Sequence, residues 1–243
     1  MNIVIDQGNS FCKIGFFEAN DKLVHSVLCP ELTTDFFEPL FKEFSPKNGI
    51  LSTVRTLNPA ILDFLESRLN RFVQFDAQTV LPIKNGYGTP QTLGLDRLAA
   101  AVGAWSLKPG KPLLVVDMGT AITYDFVDAD GVFRGGNIAP GLLTRLKSLN
   151  HFTDRLPLIE PAMTFPLIGN ATESAIRGGV MQGILFETEG YISTLKAQHA
   201  DLFAFLTGGD LIFFADKLKN GIFVHENLVL SGLNRILSFN DPT

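Results

Sequence analysis

The feature that most constrains this chain is a short apolar pattern that ends in aspartate and occurs once in each half of the sequence. Residues 3–9 read IVIDQGN and residues 114–120 read LVVDMGT, and each is followed by a second apolar run. A glycine placed soon after the aspartate favours a tight turn, so both copies predict a hairpin. An internal repeat of about half the chain predicts an α/β fold of two similar lobes with mixed sheets. We place these lobes at residues 1–110 and 111–243, with the boundary near the Pro- and Gly-containing segment 108–112.

The remaining patterns fit such a fold. Apolar runs bounded by turn residues predict strands at 2–6, 11–18, 23–28, 49–54, 113–117 and 121–127, with a further strand after Gly131. Apolar residues spaced three and four apart predict helices at 36–44, 61–69, 141–149, 171–198 and 227–237. Residues 76–93 show little periodicity and contain Pro and Gly, so we predict a long loop. Long loops in compact domains are usually functional.

Composition excludes several classes of protein. With 46% hydrophobic residues and 21 Phe, the chain lacks the low hydrophobicity and high charge of a disordered protein. Its 25 acidic residues exceed its 20 basic ones, and it has no basic run, so we expect no nucleic-acid partner. No apolar stretch is long enough to span a membrane, and the N-terminus lacks the pattern of a signal peptide. We therefore predict a cytoplasmic protein with no membrane partner.

The cysteines and histidines do not predict a metal site. Two cysteines, Cys12 and Cys29, cannot form a disulfide framework or a zinc site by their spacing. Cys12 alternates with Ile14 and Phe16, which favours a buried structural thiol over a reactive one. The four histidines have no ligand spacing.

The two Asp-Gly turns have the chemistry of phosphate binding. Gly lets backbone N–H groups approach a phosphate closely, and the short side chains of Asn9, Ser10 and Thr120 can add hydrogen bonds. The aspartates can hold a hydrated Mg²⁺ or another cation. A third turn, TGGD at residues 207–210, follows an apolar run, and its paired glycines would let an adenosine lie against the backbone. Each turn alone is also compatible with an ordinary connection between two elements.

A fourth candidate site lies where the long loop meets a predicted helix. The segment Gly94-Leu95-Asp96-Arg97 precedes an Ala-rich helical pattern. Asp96 is compatible with two roles, an acid that stabilises the first turn of a helix or a base that accepts a proton from a substrate hydroxyl. Arg97 is compatible with binding an anionic group or with a surface ion pair.

Six motifs, taken in order along the chain, resemble those of the type III pantothenate kinases, a family of the actin/Hsp70/sugar-kinase superfamily. They are DQGNSFCKIG at 6–15, GLDR at 94–97, DMGTA at 117–121, GGNIAPG at 135–141, TESAIRG at 172–178 and LSGL at 230–233. The resemblance extends from residue 2 to about residue 237 and implies two actin-like (ribonuclease H-like) lobes. Residues 86–92 follow the family's usual pattern only loosely, which leaves the substrate contacts near Thr89 open.

The resemblance implies a cytoplasmic, homodimeric kinase that transfers phosphate from ATP to pantothenate, the first step toward coenzyme A. The residues it implies for binding ATP are Asp6, Gln7, Gly8, Asn9, Ser10, Phe11, Cys12, Lys13 and Thr120. Asp6 would also hold Mg²⁺ through water, and Asp117 a monovalent cation, K⁺ or NH₄⁺. The residues it implies for the substrate are Tyr87, Gly94, Leu95, Asp96, Arg97 and Thr172, with Asp96 as the catalytic residue.

Other interpretations stay open for several of these residues. Tyr87 is also compatible with simple packing, Thr172 with capping the helix that follows it, and Asp117 with orienting Mg²⁺ or closing a hairpin. The alternative functions are a non-catalytic member of the same family, of the Bvg accessory factor type, and another small-hydroxyl kinase of the superfamily. The apolar segments 184–186 and 211–214 supply a further argument for a homodimer, since two small lobes have limited interior to bury them.

Overall fold

The computed structural model describes residues 1–8, 11–219 and 221–241. Its elements up to the middle of the chain are β1 (Asn2–Gln7), β2 (Cys12–Phe17), β3 (Leu23–Cys29), α1 (Thr34–Phe44), β4 (Asn48–Thr53), α2 (Pro59–Arg68), β5 (Arg71–Gln74), β6 (Lys84–Asn85) and α3 (Leu95–Leu107). The later elements are β7 (Leu113–Met118), β8 (Ala121–Val127), β9 (Val132–Pro140), α4 (Leu142–His151), α5 (Thr172–Gln198), β10 (Phe203–Thr207), β11 (Ile222–Val224) and α6 (Leu228–Phe239). Short 3₁₀ helices occupy Pro90–Thr92, Gly209–Phe213 and Ala215–Lys217.

The chain divides into two compact units. Unit 1 contains Met1–Leu107 together with α6, and unit 2 contains Lys108–Asn227. The lobes that we expected, 1–110 and 111–243, differ from these units chiefly at the C-terminus, where α6 packs with the N-terminal elements. Gly103 of α3 and Gly232 of α6 explain that packing, because an added Cβ on Gly232 would overlap the carbonyl oxygen of Ala99. The two helices approach too closely for larger residues at these positions.

The two units share one sheet topology. In unit 1 the strand order is β3-β2-β1-β4-β5, and in unit 2 the equivalent order is β9-β8-β7-β10-β11. The first three strands of each sheet pair antiparallel, and the remaining two extend the sheet in parallel. The prediction of a duplicated α/β fold with mixed sheets is confirmed.

Local sequence signals account for the helix ends in unit 1. Thr33 Oγ1 accepts a hydrogen bond from the N–H of Phe36 at 3.2 Å and caps α1, which ends at Ser45 in the left-handed conformation. Asn58 Oδ1 caps α2 in the same way, and Pro59 occupies its first position. These caps keep the helices at the lengths that place α1 and α2 against the sheet.

Each unit has its own hydrophobic core. In unit 1, Ile3, Ile5, Ile14 and Phe16 of the sheet contact buried residues of α1 and α2. In unit 2 the core lies between its sheet and the helices α4 and α5, and its members include Val116, Leu142 and Ile184. Fully burying an aliphatic side chain stabilises the folded state by roughly 1.5–3 kcal/mol.

The expectation that the lobes lack interior to bury the apolar segments 184–186 and 211–214 needs correction. In the segments 184–186 and 211–214, Ile184, Leu185, Leu211 and Phe214 are buried in the core of unit 2. Only Phe186 and Ile212 among the hydrophobic residues of these segments are largely exposed, at 59% and 54%. Because α5 and the segment after β10 pack against the sheet, the unit has interior for most of these residues.

Among the described residues, the structure contains no helix long and apolar enough to cross a membrane.

Candidate active site

The β1–β2 hairpin of unit 1 places a carboxylate opposite an ammonium group. Asp6 on β1 and Lys13 on β2 are directly paired across the two antiparallel strands. Side chains of directly opposed residues lie on the same face of a sheet, with Cβ atoms roughly 5 Å apart. The turn between these strands, residues 8–11, is here named the first hairpin turn, and the N–H of Gly8 donates to the carbonyl of Phe11 at 3.1 Å. Asn9 and Ser10, which we expected to bind ATP, lie outside the described residues.

The side chains of Gln7 and Cys12 are engaged in the interior of unit 1. Gln7 is buried, and its Oε1 accepts a hydrogen bond from Thr53 Oγ1 at 2.7 Å. Cys12 is fully buried, and burial raises the pKa of its thiol, which confirms the expectation of a structural cysteine. The side chains of these two residues are therefore not directed toward a ligand at this turn. Phe11, by contrast, is 61% exposed.

The start of α3 carries four of the residues expected to bind the substrate, Gly94 to Arg97. Asp96 is exposed, and its Oδ1 accepts a hydrogen bond from the N–H of Arg97 at 2.8 Å. The helix-stabilising role of Asp96 is thus present in the structure, and it leaves the carboxylate accessible to solvent. Gly94 leaves room for this carboxylate, because an added Cβ would lie 2.5 Å from the same Oδ1 and would force the Asp96 side chain to move. Leu95, the first residue of the helix, is half-buried.

Arg97 forms a cluster with Tyr87. The Arg97 side chain is buried, which rules out the alternative of an exposed surface ion pair. Its Cζ lies 5.7 Å from the centroid of the Tyr87 ring, within the range of a cation–π interaction. The N–H of Tyr87 donates to Asn85 Oδ1 at 3.0 Å, which fixes the turn after β6. Tyr87 therefore packs against Arg97 in the first turn of α3. Sequence spacing alone did not predict this contact.

Unit 2 repeats the hairpin in a shorter form. Asp117 lies on β7, and only residues 119–120, here named the second hairpin turn, separate β7 from β8. The carbonyl of Thr120 accepts hydrogen bonds from the N–H of Gly141 at 3.0 Å and from Thr144 Oγ1 at 2.7 Å. The start of α4 therefore holds this turn by its backbone, while the side chain of Thr120 remains exposed.

The glycines of the third turn pack directly on Asp117. Gly208 has a φ of +97°, and an added Cβ would lie 2.5 Å from Asp117 Oδ1 and would also overlap the carbonyl oxygen of Met118. Gly209 has no described atom within 4 Å of its Cβ position. The first glycine is therefore required by conformation and by space, whereas the second leaves an open surface beside it. The third turn therefore has an open glycine surface next to a carboxylate.

The oxygen atoms near Asp117 suit a hard cation. The Asp117 carboxylate and the Met118 carbonyl oxygen both pack closely against Gly208. Carboxylate and carbonyl oxygens are ligands for hard cations such as Mg²⁺ and K⁺. In the described part of the chain, no group of three or more His, Cys, Asp or Glu forms a metal cluster. A cation here would therefore take its remaining ligands from backbone, nucleotide or water.

Thr172 is the first residue of α5 and is exposed. The N-cap position belongs to Ala171, so the alternative in which Thr172 caps the helix is wrong. Ser174, which the sequence analysis did not single out, accepts a hydrogen bond from the N–H of Ala171 at 3.0 Å and fixes this helix start. The signal that could have identified it is a small hydroxyl residue three positions after the helix boundary.

Comparison with known proteins identifies the family. A family model described as type III pantothenate kinase matches residues 2–194. The chain belongs to the type III pantothenate kinase family. It is 46% identical to the type III pantothenate kinase of Phocaeicola vulgatus and 44% identical to that of Bacteroides fragilis, in each case over 99% of both chains.

Solved structures show the same fold at lower identity. A Campylobacter jejuni protein, described as belonging to the Baf family of transcriptional activators, aligns with a TM-score of 0.63 at 24% identity over 98% of both chains. A glucokinase from an Antarctic psychrotroph aligns with a TM-score of 0.50 at 11% identity, covering 98% of this chain and 99% of its own. The fold is therefore that of the actin-like sugar kinases, as the sequence motifs implied.

Proposed function

We propose that this enzyme transfers the terminal phosphate of ATP to the primary hydroxyl of pantothenate and yields 4′-phosphopantothenate, the first step of coenzyme A synthesis. The observation that carries this proposal is the match, over 99% of the chain, to enzymes named type III pantothenate kinase. The Asp96–Arg97–Tyr87 cluster supports it with suitable chemistry. The non-catalytic Bvg accessory factor alternative is not favoured, because Asp6, Asp96, Arg97 and Asp117 are all retained.

Asp96 acts as the base in this proposal. Its carboxylate accepts the proton of the pantothenate hydroxyl while the hydroxyl oxygen bonds to the terminal phosphorus of ATP. The bond from that phosphorus to the bridging oxygen breaks, and ADP leaves with the electron pair. The accessible carboxylate of Asp96 supports this role, and its hydrogen bond to the Arg97 N–H holds the side chain in place.

Arg97 binds the anionic carboxylate of pantothenate. The planar guanidinium presents several N–H donors, and a buried position strengthens its attraction for an anion. Tyr87 restricts the guanidinium to one orientation through the ring contact described above. Gly94 and Leu95 contribute by shaping the start of α3, and Thr172 contributes a hydroxyl from the start of α5.

The two hairpin turns bind the nucleotide. In this proposal the phosphates bind at the first hairpin turn, with Lys13 beside it, and the hydroxyl of Thr120 in the second hairpin turn also contacts ATP. Asp6 fits a hydrated Mg²⁺, since Mg²⁺ keeps several waters and commonly takes only one or two carboxylates with nucleotide phosphates. Asp117 fits a monovalent cation, K⁺ or NH₄⁺. Such ions supply positive charge near the phosphates of ATP.

A homodimer and a cytoplasmic location complete the proposal. Unit 2 exposes large apolar side chains on several elements, including Ile138, Phe152, Leu167, Ile168 and Phe186. In this proposal a second copy of the chain covers some of these exposed apolar side chains. Mixing inactive Asp96→Asn chains with inactive Thr172→Arg chains should restore part of the activity if Thr172 reaches the partner's substrate. Absence of recovery in demonstrably mixed dimers would reject a shared site.

An ADP-release assay tests the proposed reaction. The purified protein is given ATP and Mg²⁺ with pantothenate, glycerol or a hexose, and a K⁺ salt is present throughout. We expect ADP release to depend on pantothenate. Release with a hexose or glycerol alone would favour another small-hydroxyl kinase, and no release with any acceptor would favour the non-catalytic alternative.

A further inference from the structure

Arg55 lies beside the first hairpin turn because of how β4 ends. Strand β4 runs parallel to β1, and Thr53 is paired with Gln7, the last residue before that turn. Thr53 Oγ1 donates to Gln7 Oε1 at 2.7 Å and accepts from the N–H of Arg55 at 3.0 Å. The N–H of Val54 also donates to the carbonyl of Gln7 at 3.2 Å. The segment that carries Arg55 is therefore tied by hydrogen bonds to the base of the first hairpin turn.

The charge of Arg55 acts on the second arm of the hairpin as well. Burial raises the pKa of the Cys12 thiol, and the positive charge of Arg55 acts in the opposite direction. Cys12 is the first residue of β2, immediately after the first hairpin turn. The side chain of Arg55 is half-buried, and electrostatic interactions strengthen as water is excluded. The backbone of Arg55 is thus tied to one end of the turn, and its charge acts at the other end, on Cys12.

The corresponding position in unit 2 carries the opposite charge. Asp6 is paired with Ser52, and Asp117 with Thr207, so the residue three positions later is Arg55 in unit 1 and Asp210 in unit 2. The two units thus share a backbone plan but differ in charge beside their hairpin turns. A triphosphate is strongly anionic, the chain has a net charge of −5, and one of its carboxylates, Asp6, lies on the first hairpin. A fixed cation at this turn would offset that repulsion.

We propose that Arg55 is a further ATP-binding residue, whose guanidinium donates hydrogen bonds to a phosphate oxygen of the nucleotide held at the first hairpin turn. This inference rests on the proposed function for the identity of the anion. It adds a cation that the family motifs do not include. Arg is suited to this task because its planar donors match phosphate oxygens in pairs.

Binding measurements test this role without requiring turnover. We compare the wild-type protein with Arg55→Met, which keeps much of the apolar stem, and with Arg55→Lys, which keeps the charge. Arg68→Met is the matched control, because Arg68 lies in the same unit, is exposed and pairs with Glu38 at 2.8 Å. The ligands are ATP, inorganic tripolyphosphate and adenosine, each titrated calorimetrically, with circular dichroism to monitor folding.

We expect Arg55→Met to weaken ATP and tripolyphosphate binding by about 10- to 100-fold and to leave adenosine binding unchanged. Arg55→Lys should recover part of this loss, and Arg68→Met should show none. The wild-type affinity for tripolyphosphate should fall with added salt more steeply than that of Arg55→Met.

Three results would overturn the inference: unchanged tripolyphosphate affinity in folded Arg55→Met, an equal loss of adenosine affinity, or an equal loss in Arg68→Met. Should Arg55→Met fail to fold, the folded Arg55→Lys variant decides between the outcomes. In Arg55→Lys, a changed salt dependence of tripolyphosphate binding with an unchanged adenosine affinity supports a contact to phosphate. An unchanged salt dependence, or a loss of adenosine affinity, indicates a structural role and overturns the inference. Failure of the proposed function would appear differently, as normal ATP binding without pantothenate-dependent ADP release.

Discussion

The two units of this chain have the same strand order, but the turns of their first hairpins differ in length. In unit 1, residues 8–11 connect β1 to β2, whereas in unit 2 only residues 119–120 connect β7 to β8. The longer turn has Lys13 paired opposite Asp6, and the shorter one has Thr123 paired opposite Asp117. The two aspartates therefore lie at equivalent positions of the two sheets. The residue paired opposite each aspartate differs, so Asp6 faces a positive charge and Asp117 faces a neutral side chain.

The strand beside each hairpin extends this difference. Thr53 follows Ser52 in unit 1, and its hydroxyl bonds Gln7, whereas Gly208 follows Thr207 in unit 2 and packs on Asp117. A residue with a side chain supports a polar turn in unit 1. A glycine leaves open backbone in unit 2. In the proposed function, unit 1 carries the base Asp96 and the Mg²⁺ at Asp6, and unit 2 carries the monovalent cation at Asp117 together with Thr120 and Thr172.

The largest expected effect tests whether unit 1 carries the chemistry. Asp96→Asn should lower kcat by about 10²–10⁴-fold, because an amide cannot accept the substrate proton. Asp35→Asn is the matched control, since Asp35 is likewise an exposed acid at the second position of a helix in unit 1. Steady-state kinetics and circular dichroism measure the two variants. Near wild-type turnover in Asp96→Asn, or equal losses in both, would reduce Asp96 to a helix-stabilising residue.

The next effect separates the two glycines of the third turn. Gly208→Ala should destabilise the protein by about 2–4 kcal/mol, because a Cβ at φ +97° is strained and meets Met118 and Asp117. Gly209→Ala should be close to neutral for folding, since the space beside Gly209 is open. Urea unfolding gives both values. Similar stabilities for the two variants would contradict the close packing of Gly208 on Asp117.

A smaller effect tests the cation assigned to unit 2. In Na⁺ or Tris buffer with Mg²⁺ and ATP, adding K⁺ or NH₄⁺ should raise activity by about tenfold, equivalent to about 1.4 kcal/mol. A bound cation offsets the repulsion between the Asp117 carboxylate and the phosphates of ATP. Asp117→Ala should abolish the stimulation. Full activity of the wild-type enzyme without either ion would refute the assignment, and stimulation that persists in Asp117→Ala would place the ion elsewhere.

The smallest effect concerns the acid that replaces Arg55 in unit 2. Burial raises the pKa of Asp210, opposed by a hydrogen bond from the N–H of Leu142. A carboxyl whose pKa is raised by folding destabilises the native state above that pKa, and the cost disappears as pH falls toward the unfolded value. Asp210→Asn should therefore raise Tm at pH 7, by roughly 1–2 °C, and the gain should shrink at lower pH.

Asp128 supplies a control of opposite sign in the same unit. Burial alone would raise the pKa of Asp128, but hydrogen bonds from Val132, Arg134 and Asp130 outweigh it and lower that pKa. Such a carboxylate stabilises the native state at neutral pH and loses that contribution as pH falls. Asp128→Asn should lower Tm at pH 7, with a smaller difference in acid. Thermal melts across this range that show the same sign for both variants would contradict these directions.

Local patterns were enough to predict most of the elements and the duplicated sheet. The strand after Gly131, the turn at 207–210 and the helix that begins at Gly94-Leu95 all appear where periodicity and turn residues predicted them. These features depend on residues close together in the chain, whose spacing sets which face is buried. The burial of Cys12 followed from the same alternation.

Only the tertiary structure decided which distant segments meet. The sequence could not place α6 with unit 1, because the fit of Gly232 against Ala99 depends on two helices far apart in the chain. It left Arg97 open between surface and interior, and the structure shows that this side chain is buried. It gave no reason to connect Thr53 with Gln7, which come together through the parallel pairing of β1 and β4. The periodicity of apolar residues indicates which face of a single helix or strand is buried. Contacts between distant elements depend on tertiary packing, which no short stretch of sequence specifies.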